Sequence, residues 1–175
     1  MENVSTAASG DAQHVSDTSG TAVEWTFSAN DFEREDVQQL LAFHFAQMRL
    51  QSPADACHVL PPDGLRDPAI TFWSLRGPHR LFAVGALKQL DERHGEVKSM
   101  RTAPDVLGCG AGTAMLRHIL AEARCRGYQR LSLETGSTDP FRPALRLYER
   151  HGFTACGPFA GYTASPFTRF LTTGL

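Results

Sequence analysis

The chain has 175 residues, 42% hydrophobic and 21% charged, with a formal net charge of −2. That length suits one domain with a full core and leaves no room for two ordinary ones. The charge shows none of the basic excess that nucleic acid attracts, and no run of about 20 apolar residues offers a membrane span, so neither partner is expected.

Residues 1–22 hold seven Ser or Thr, no Lys or Arg and no apolar run, and read as a disordered tail ahead of a single domain over 23–175. The tail lacks the basic start and hydrophobic stretch of a secretory signal, which points to the cytoplasm. Cys57, Cys109, Cys125 and Cys156 form no C-x-x-C and no zinc-like spacing with the histidines, so no metal is expected.

Val23, Trp25 and Phe27 alternate as a strand and lead to a helix N-cap at Asn30 or Asp31. From Phe32 to about Leu50, Val37, Leu40, Leu41, His44, Phe45 and Met48 recur at helical spacing, and His44 on that stripe reads as a satisfied core histidine. Pro53, Pro61, Pro62 and Pro68 then impose a loop or broken helix of the kind that covers a site. "AITFWSLR" and "HRLFAVGALKQLD", turned at Gly77 and Pro78, and then "GEVKSMRT" predict an antiparallel meander.

The pattern changes at "DVLGCGAGTAML", positions 105 to 116. Three glycines precede a helix whose face is marked by Met115, Leu116, Ile119, Leu120 and Ala123, with Gly127 placed to end it. "YQRLSLETG" predicts a strand, "PFRPALRLYERHG" a helix, and "FTACGPF" and "FTRFLTTGL" closing strands.

Such a glycine loop could hold the diphosphate of coenzyme A, the phosphates of a dinucleotide, or S-adenosylmethionine. The methyltransferase reading takes "VLGCGAG" as the cofactor loop and Glu134 as the ribose-binding acid. It needs an apolar strand running into the first glycine, but Pro104 and Asp105 leave only Val106 and Leu107. It also needs further strand-helix units, and only about 40 residues follow Glu134. The dinucleotide reading fails likewise, with Thr113 at the third position of G-x-G-x-x-G/A. A helix starting near Gly112 presents unpaired N–H groups and a positive dipole end, which suit a diphosphate. Hydrogen bonds to a charged partner contribute about 1.5 to 3 kcal/mol each, so backbone amides suffice as anchors.

The run "EVKSMRTAPDVLGCGAGTAML" resembles the GNAT acetyltransferase superfamily, with its acid-bearing strand, proline, and R/Q-x-x-G-x-G/A loop leading into a helix. "LSLETGSTDPFRPALRLYERHGF" is similar to the family's next strand and its N-x-x-A-x-x-L-Y-x-x-x-G-F run, with Ala144, Leu147, Tyr148, Gly152 and Phe153 in register. Leu107 stands where Arg or Gln is usual, and Phe141 where Asn is common. "KSMRTAP", "LETGS" and "CGPF" further resemble a subgroup of small acetyltransferases.

The resemblance implies an α/β GNAT fold, a mixed and mostly antiparallel sheet flanked by helices with its fourth and fifth strands splayed. It implies acetyl-CoA as donor, an amine acceptor, direct transfer in a ternary complex, and no metal. The cofactor would lie against Leu107, Gly108, Cys109, Gly110, Ala111, Gly112, Thr113 and Phe141, with Cys109 as a turn residue rather than a nucleophile. Its pantetheine arm would bond the backbones of Met100 and Thr102, and an N–H near Met100 would polarise the thioester. Glu96 is the first candidate base, although it shares a strand face with Lys98, so a plain ion pair is the alternative. Glu134 is the second acid, as base or as the binder of a cationic acceptor. Tyr148 is the candidate proton donor to the leaving thiolate. A non-catalytic acyl-CoA-binding module stays open on the strength of Phe141 and Leu107. The acceptor site is expected from residues 31–68 and the last strands, including His58, Arg66 and Tyr162. Neither the acceptor nor the oligomeric state is set, a homodimer being one allowed state.

Overall fold

The structure, a computed structural model, describes residues 13–16, 22–51 and 60–175. In chain order the elements are β1 (Gln13–Ser16), β2 (Ala22–Ala29), α1 (Glu35–Gln51), β3 (Ile70–Arg76), β4 (Leu81–Gln89), β5 (His94–Thr102), α2 (Ala111–Cys125), β6 (Arg130–Gly136), α3 (Arg142–Arg150), β7 (Thr154–Ala155) and β8 (Thr168–Gly174). They make one eight-stranded sheet in the order β1-β2-β3-β4-β5-β6-β8-β7. β5 and β6 pair parallel, and every other neighbouring pair is antiparallel.

The central strands are apolar on both sides because a helix covers each face. Phe72, Val84 and Ala86 pack with Val37, Leu40 and Leu41 of α1. Trp73, Leu75, Ala83, Leu87, Val97, Leu131 and Leu133 alternate with them and pack against Met115, Leu116 and Ile119 of α2. α2 ends as expected: Gly127 takes φ 77°, and the N–H of Tyr128 bonds the Ala123 carbonyl at 3.0 Å.

Two outcomes differ from the sequence reading. Gln13–Ser16, within the stretch expected to be a disordered tail, pairs with β2, a backbone interaction that its polar composition does not prevent. Residues 1–12 and 17–21 lie outside the described residues, as do Cys57 and His58. "FTACGPF" yields a strand of two residues, and after Cys156, whose N–H bonds the Phe170 carbonyl at 2.9 Å, Gly157 and Pro158 turn the chain away. As the sequence reading expected, the segment before Gly108 is a 3-10 turn, Pro104–Val106, and not the strand that the dinucleotide and methyltransferase loops need.

β5 determines where the site lies. Val84 pairs with Arg101 but Ala86 with Lys98, so Ser99 and Met100 together face Gly85 in a β-bulge, with Ser99 at φ 52°. The parallel pairing of β5 with β6 stops at Glu96 and Ser132. Beyond that pair the two strands part.

Candidate active site

The fork between β5 and β6 opens into a cleft of about 120 Å³, lined in part by Met100, Glu134, Phe141 and Tyr148. The N–H of Ala103 bonds the Phe82 carbonyl of β4 at 2.9 Å. By strand alternation, Arg101 also turns its backbone to β4, while Met100 and Thr102 turn theirs toward the gap. Below the fork, Arg130 donates to Nδ1 of His94 at 3.0 Å, and Nε2 of His94 meets the Ser132 hydroxyl at 2.8 Å. An arginine only donates, so Nδ1 accepts and Nε2–H donates to Ser132. These bonds satisfy the buried polar groups where the sheet divides.

The glycine loop lies at the end of β5. Gly108 and Gly110 take φ 83° and 90°, a left-handed backbone that few other residues adopt. Gly110 caps α2 without a side-chain bond, and the first helical bond runs from Ala114 N–H to the Gly110 carbonyl at 2.9 Å. The N–H groups of Ala111, Gly112 and Thr113 therefore lie ahead of the helical ladder, where the dipole is positive. A Cβ on Gly112 would stand 3.2 Å from Oγ1 of Thr102, so the helix end approaches β5 closely. Leu107, 70% exposed, points no charge into this cradle, and Cys109 is a half-buried free thiol.

The two acids differ sharply. Glu96 and Lys98 share a face, as their spacing requires, but the pair is buried rather than superficial, with side chains 2% and 9% exposed. Lys98 donates to Oε1 of Glu96 at 3.0 Å and to the Tyr162 hydroxyl at 2.5 Å, and Tyr162 donates to the same Oε1 at 2.6 Å. Glu96 is thus engaged within a three-residue cluster. Glu134 stands on the cleft wall, where burial chiefly, and the charge of Glu96 secondly, push its carboxyl up from 4.5 to about 7 against the opposing pull of Lys98.

Two sides of the sheet meet in the gap. Leu131 and Leu133 belong to the α2 core, so Ser132 and Glu134 face the α1 side. Tyr148 belongs to the α2 core, edge-on to Phe153 with ring centroids 5.8 Å apart, and reaches the cleft from that side. Burial first, and Glu134 second, push the Tyr148 phenol well above its usual value and keep it protonated. Phe141, in the expected asparagine position, fills space beside the cleft so tightly that a Cβ on Gly136 would meet its ring at 2.2 Å.

Two residues take positions that the sequence did not reveal. Tyr162 reaches the cluster because residues after β7 fold back and stack Phe159, Tyr162 and Phe170 on one another. His44 is buried as expected, yet its Nδ1 has no hydrogen-bond partner among the described residues, so it is not the satisfied core histidine the helical spacing implied. It lines the cleft beside Arg101. Among the described residues, no His, Cys, Asp or Glu group could hold a metal ion, and no helix is long and apolar enough to cross a membrane.

Residues 30–153 match the Acetyltransferase (GNAT) family. The uncharacterized N-acetyltransferase YedL of Escherichia coli (strain K12) is 46% identical over 148 residues, covering 85% of this chain and 93% of that protein. YsnE of Bacillus subtilis (strain 168), also an uncharacterized N-acetyltransferase, is 48% identical over 143 residues, covering 82% and 95%. A GNAT family acetyltransferase from Elizabethkingia anophelis, solved with acetyl-CoA bound, shares the fold at 17% identity, with a TM-score of 0.62 over 86% of this chain and 98% of that one. With a split parallel strand pair, a glycine cradle at a helix start, and relatives aligned along nearly their whole length, the chain belongs to the GNAT family of N-acetyltransferases.

Proposed function

We propose that the protein transfers the acetyl group of acetyl-CoA to a primary amine by direct attack in a ternary complex, with Glu134 as base and Tyr148 as acid. The observation that carries this reading is the fork itself. β5 leaves β6 after Glu96, and the gap is reached by Tyr148 from the α2 side and by Glu134 from the α1 side. Base and acid can therefore act on one thioester carbonyl from opposite sides, Glu134 on the attacking amine and Tyr148 on the departing sulfur.

The N–H groups of Gly108 to Thr113 serve as the diphosphate cradle, and the gap-facing backbones of Met100 and Thr102 extend β5 by pairing with the pantetheine amides. Glu134 accepts the amine proton as the carbon–nitrogen bond forms, a task its value of about 7 suits. The Met100 N–H donates to the oxyanion that develops on the carbonyl oxygen. Tyr148 gives its phenolic proton to sulfur as the carbon–sulfur bond breaks, then recovers a proton from solvent, to which Glu134 releases the one it took. Glu96 fixes Lys98 and Tyr162 beside Glu134, a positioning role in place of the base role expected from its strand.

The test is a thermal-shift titration with acetyl-CoA and with S-adenosylmethionine, followed by an assay of thiol release with a panel of primary amines. A ligand at about 100 times its Kd adds roughly 2.7 kcal/mol. A shift with acetyl-CoA alone, and thiol release that depends on the amine, is the expected result. Binding without release for every amine would instead favour an acyl-CoA-binding module, and no shift would overturn the reading.

A further inference from the structure

Among the described residues, one cation in the cleft has no acid beside it. Arg101 is half-buried, lines the cleft on the α1 side, and holds its guanidinium carbon 4.8 Å from the ring centroid of Phe43. No acid among the described residues forms an ion pair with it. Two other cations withdrawn from solvent have acids beside them: Arg76 takes Asp31 and Asp36, and Lys98 takes Glu96. Holding a guanidinium partly out of water without a partner costs free energy that a bound anion would recover.

The surroundings narrow that anion. Burial chiefly, and the charge of Arg101 secondly, hold His44 down at about 4, so the neighbouring imidazole is neutral near pH 7 and adds no second cation. Met48 and Leu60 make the same wall apolar. A planar guanidinium offers two parallel N–H donors, the match for a carboxylate. Arg101 directly follows Met100, whose N–H is assigned above to the thioester carbonyl. The bulge at Ser99 returns Arg101 to the face of Glu96 and Lys98, toward which Glu134 also looks. The carboxylate and the attacking nitrogen are thus to be held only a few bonds apart.

Building on the acetyltransferase reading above, we propose that the acceptor is an amino acid with an apolar side chain, its carboxylate paired with Arg101 and its amino group presented to Glu134. A polyamine would bring a second cation against Arg101, and the side chain of a protein lysine would bring no carboxylate to it.

The experiment uses the full chain with acetyl-CoA and the twenty proteinogenic L-amino acids, measuring thiol release. Each acceptor that turns over is compared with its primary amide and its decarboxylated amine. The expected result is a kcat/KM for the acid about 100-fold above that for the amide. Arg101→Gln is expected to bring the acid down to the level of the amide, and Arg101→Lys to retain part of the preference, since it keeps the charge and loses the fork. Equal turnover of acid and amide by the wild-type protein, turnover of simple amines only, or an undiminished preference in Arg101→Gln would overturn the proposal while leaving acetyl transfer intact. The wild-type comparison needs no variant to fold. Absence of any acetyl-CoA thermal shift would instead remove the reading beneath it.

Discussion

Replacing Glu134 with Gln tests the base through stability as well as rate. In the folded chain the carboxyl is raised from 4.5 to about 7. Between those pH values the folded state keeps a proton that the unfolded state has released, so stability falls as pH rises through this window. A shift of this size corresponds to about 3 kcal/mol at ~1.36 kcal/mol per unit. Gln removes the penalty. At pH 8.5 the variant should be more stable than wild type by about 2 to 3 kcal/mol, or several degrees in Tm for a chain of 175 residues. At pH 4.5 the advantage should vanish. Urea unfolding at both pH values supplies the numbers, and the pH–rate profile supplies the second readout: the limb near pH 7 should disappear in Glu134→Gln while kcat falls about 10²- to 10⁴-fold. A stability difference that is the same at both pH values, together with a surviving limb, would refute the assignment of Glu134 as a buried titrating base.

Tyr148→Phe should lower kcat by about 10²- to 10⁴-fold with acetyl-CoA affinity nearly intact, and unchanged turnover would remove Tyr148 from the chemistry. Glu96→Gln should cost about 3 to 5 kcal/mol in urea unfolding, because it leaves Lys98 buried without its acid, and Glu96→Gln with Lys98→Met should recover most of that loss. The residual activity of Glu96→Gln should still show the limb near pH 7, since that limb is assigned to Glu134. Gly112→Val should weaken acetyl-CoA binding in the thermal-shift titration, because a Cβ there already stands 3.2 Å from Oγ1 of Thr102 and the larger side chain forces the helix start away from β5.

The meander, the three helices and the loop before α2 were legible because each is a local pattern: alternation, helical spacing, or glycine ahead of an apolar stripe. β1 and the shortness of β7 were not, since a polar strand is fixed by backbone pairing with β2, and β7 is stopped by Gly157 and Pro158 inside an otherwise strand-like run. The site residues divide in the same way. The cradle from Gly108 to Thr113 follows from local sequence. The engagement of Glu96 could not be read from sequence, because its partner Tyr162 lies 66 positions away, in a loop with no periodic signal.

The bulge at Ser99 limits sequence reasoning in a different way. Simple alternation from Lys98 puts Met100 on the same face and Arg101 on the other. With Ser99 at φ 52°, the register slips by one residue, Met100 packs toward the α2 core, and Arg101 reaches Phe43 on α1. Nothing in "KSMRT" announces this, since a serine is not the residue that a left-handed backbone usually selects. The slip nevertheless aligns the two halves of the proposed chemistry. It turns the Met100 backbone to the gap where the thioester is expected, and it places the one unpaired guanidinium of the described cleft beside the face that Glu134 presents to the acceptor. A deletion of Ser99 would leave Met100 alone opposite Gly85 and keep Arg101 against Val84 on the face of Lys98, so the preference for a carboxylate acceptor should survive it, and its loss would refute this account of the register.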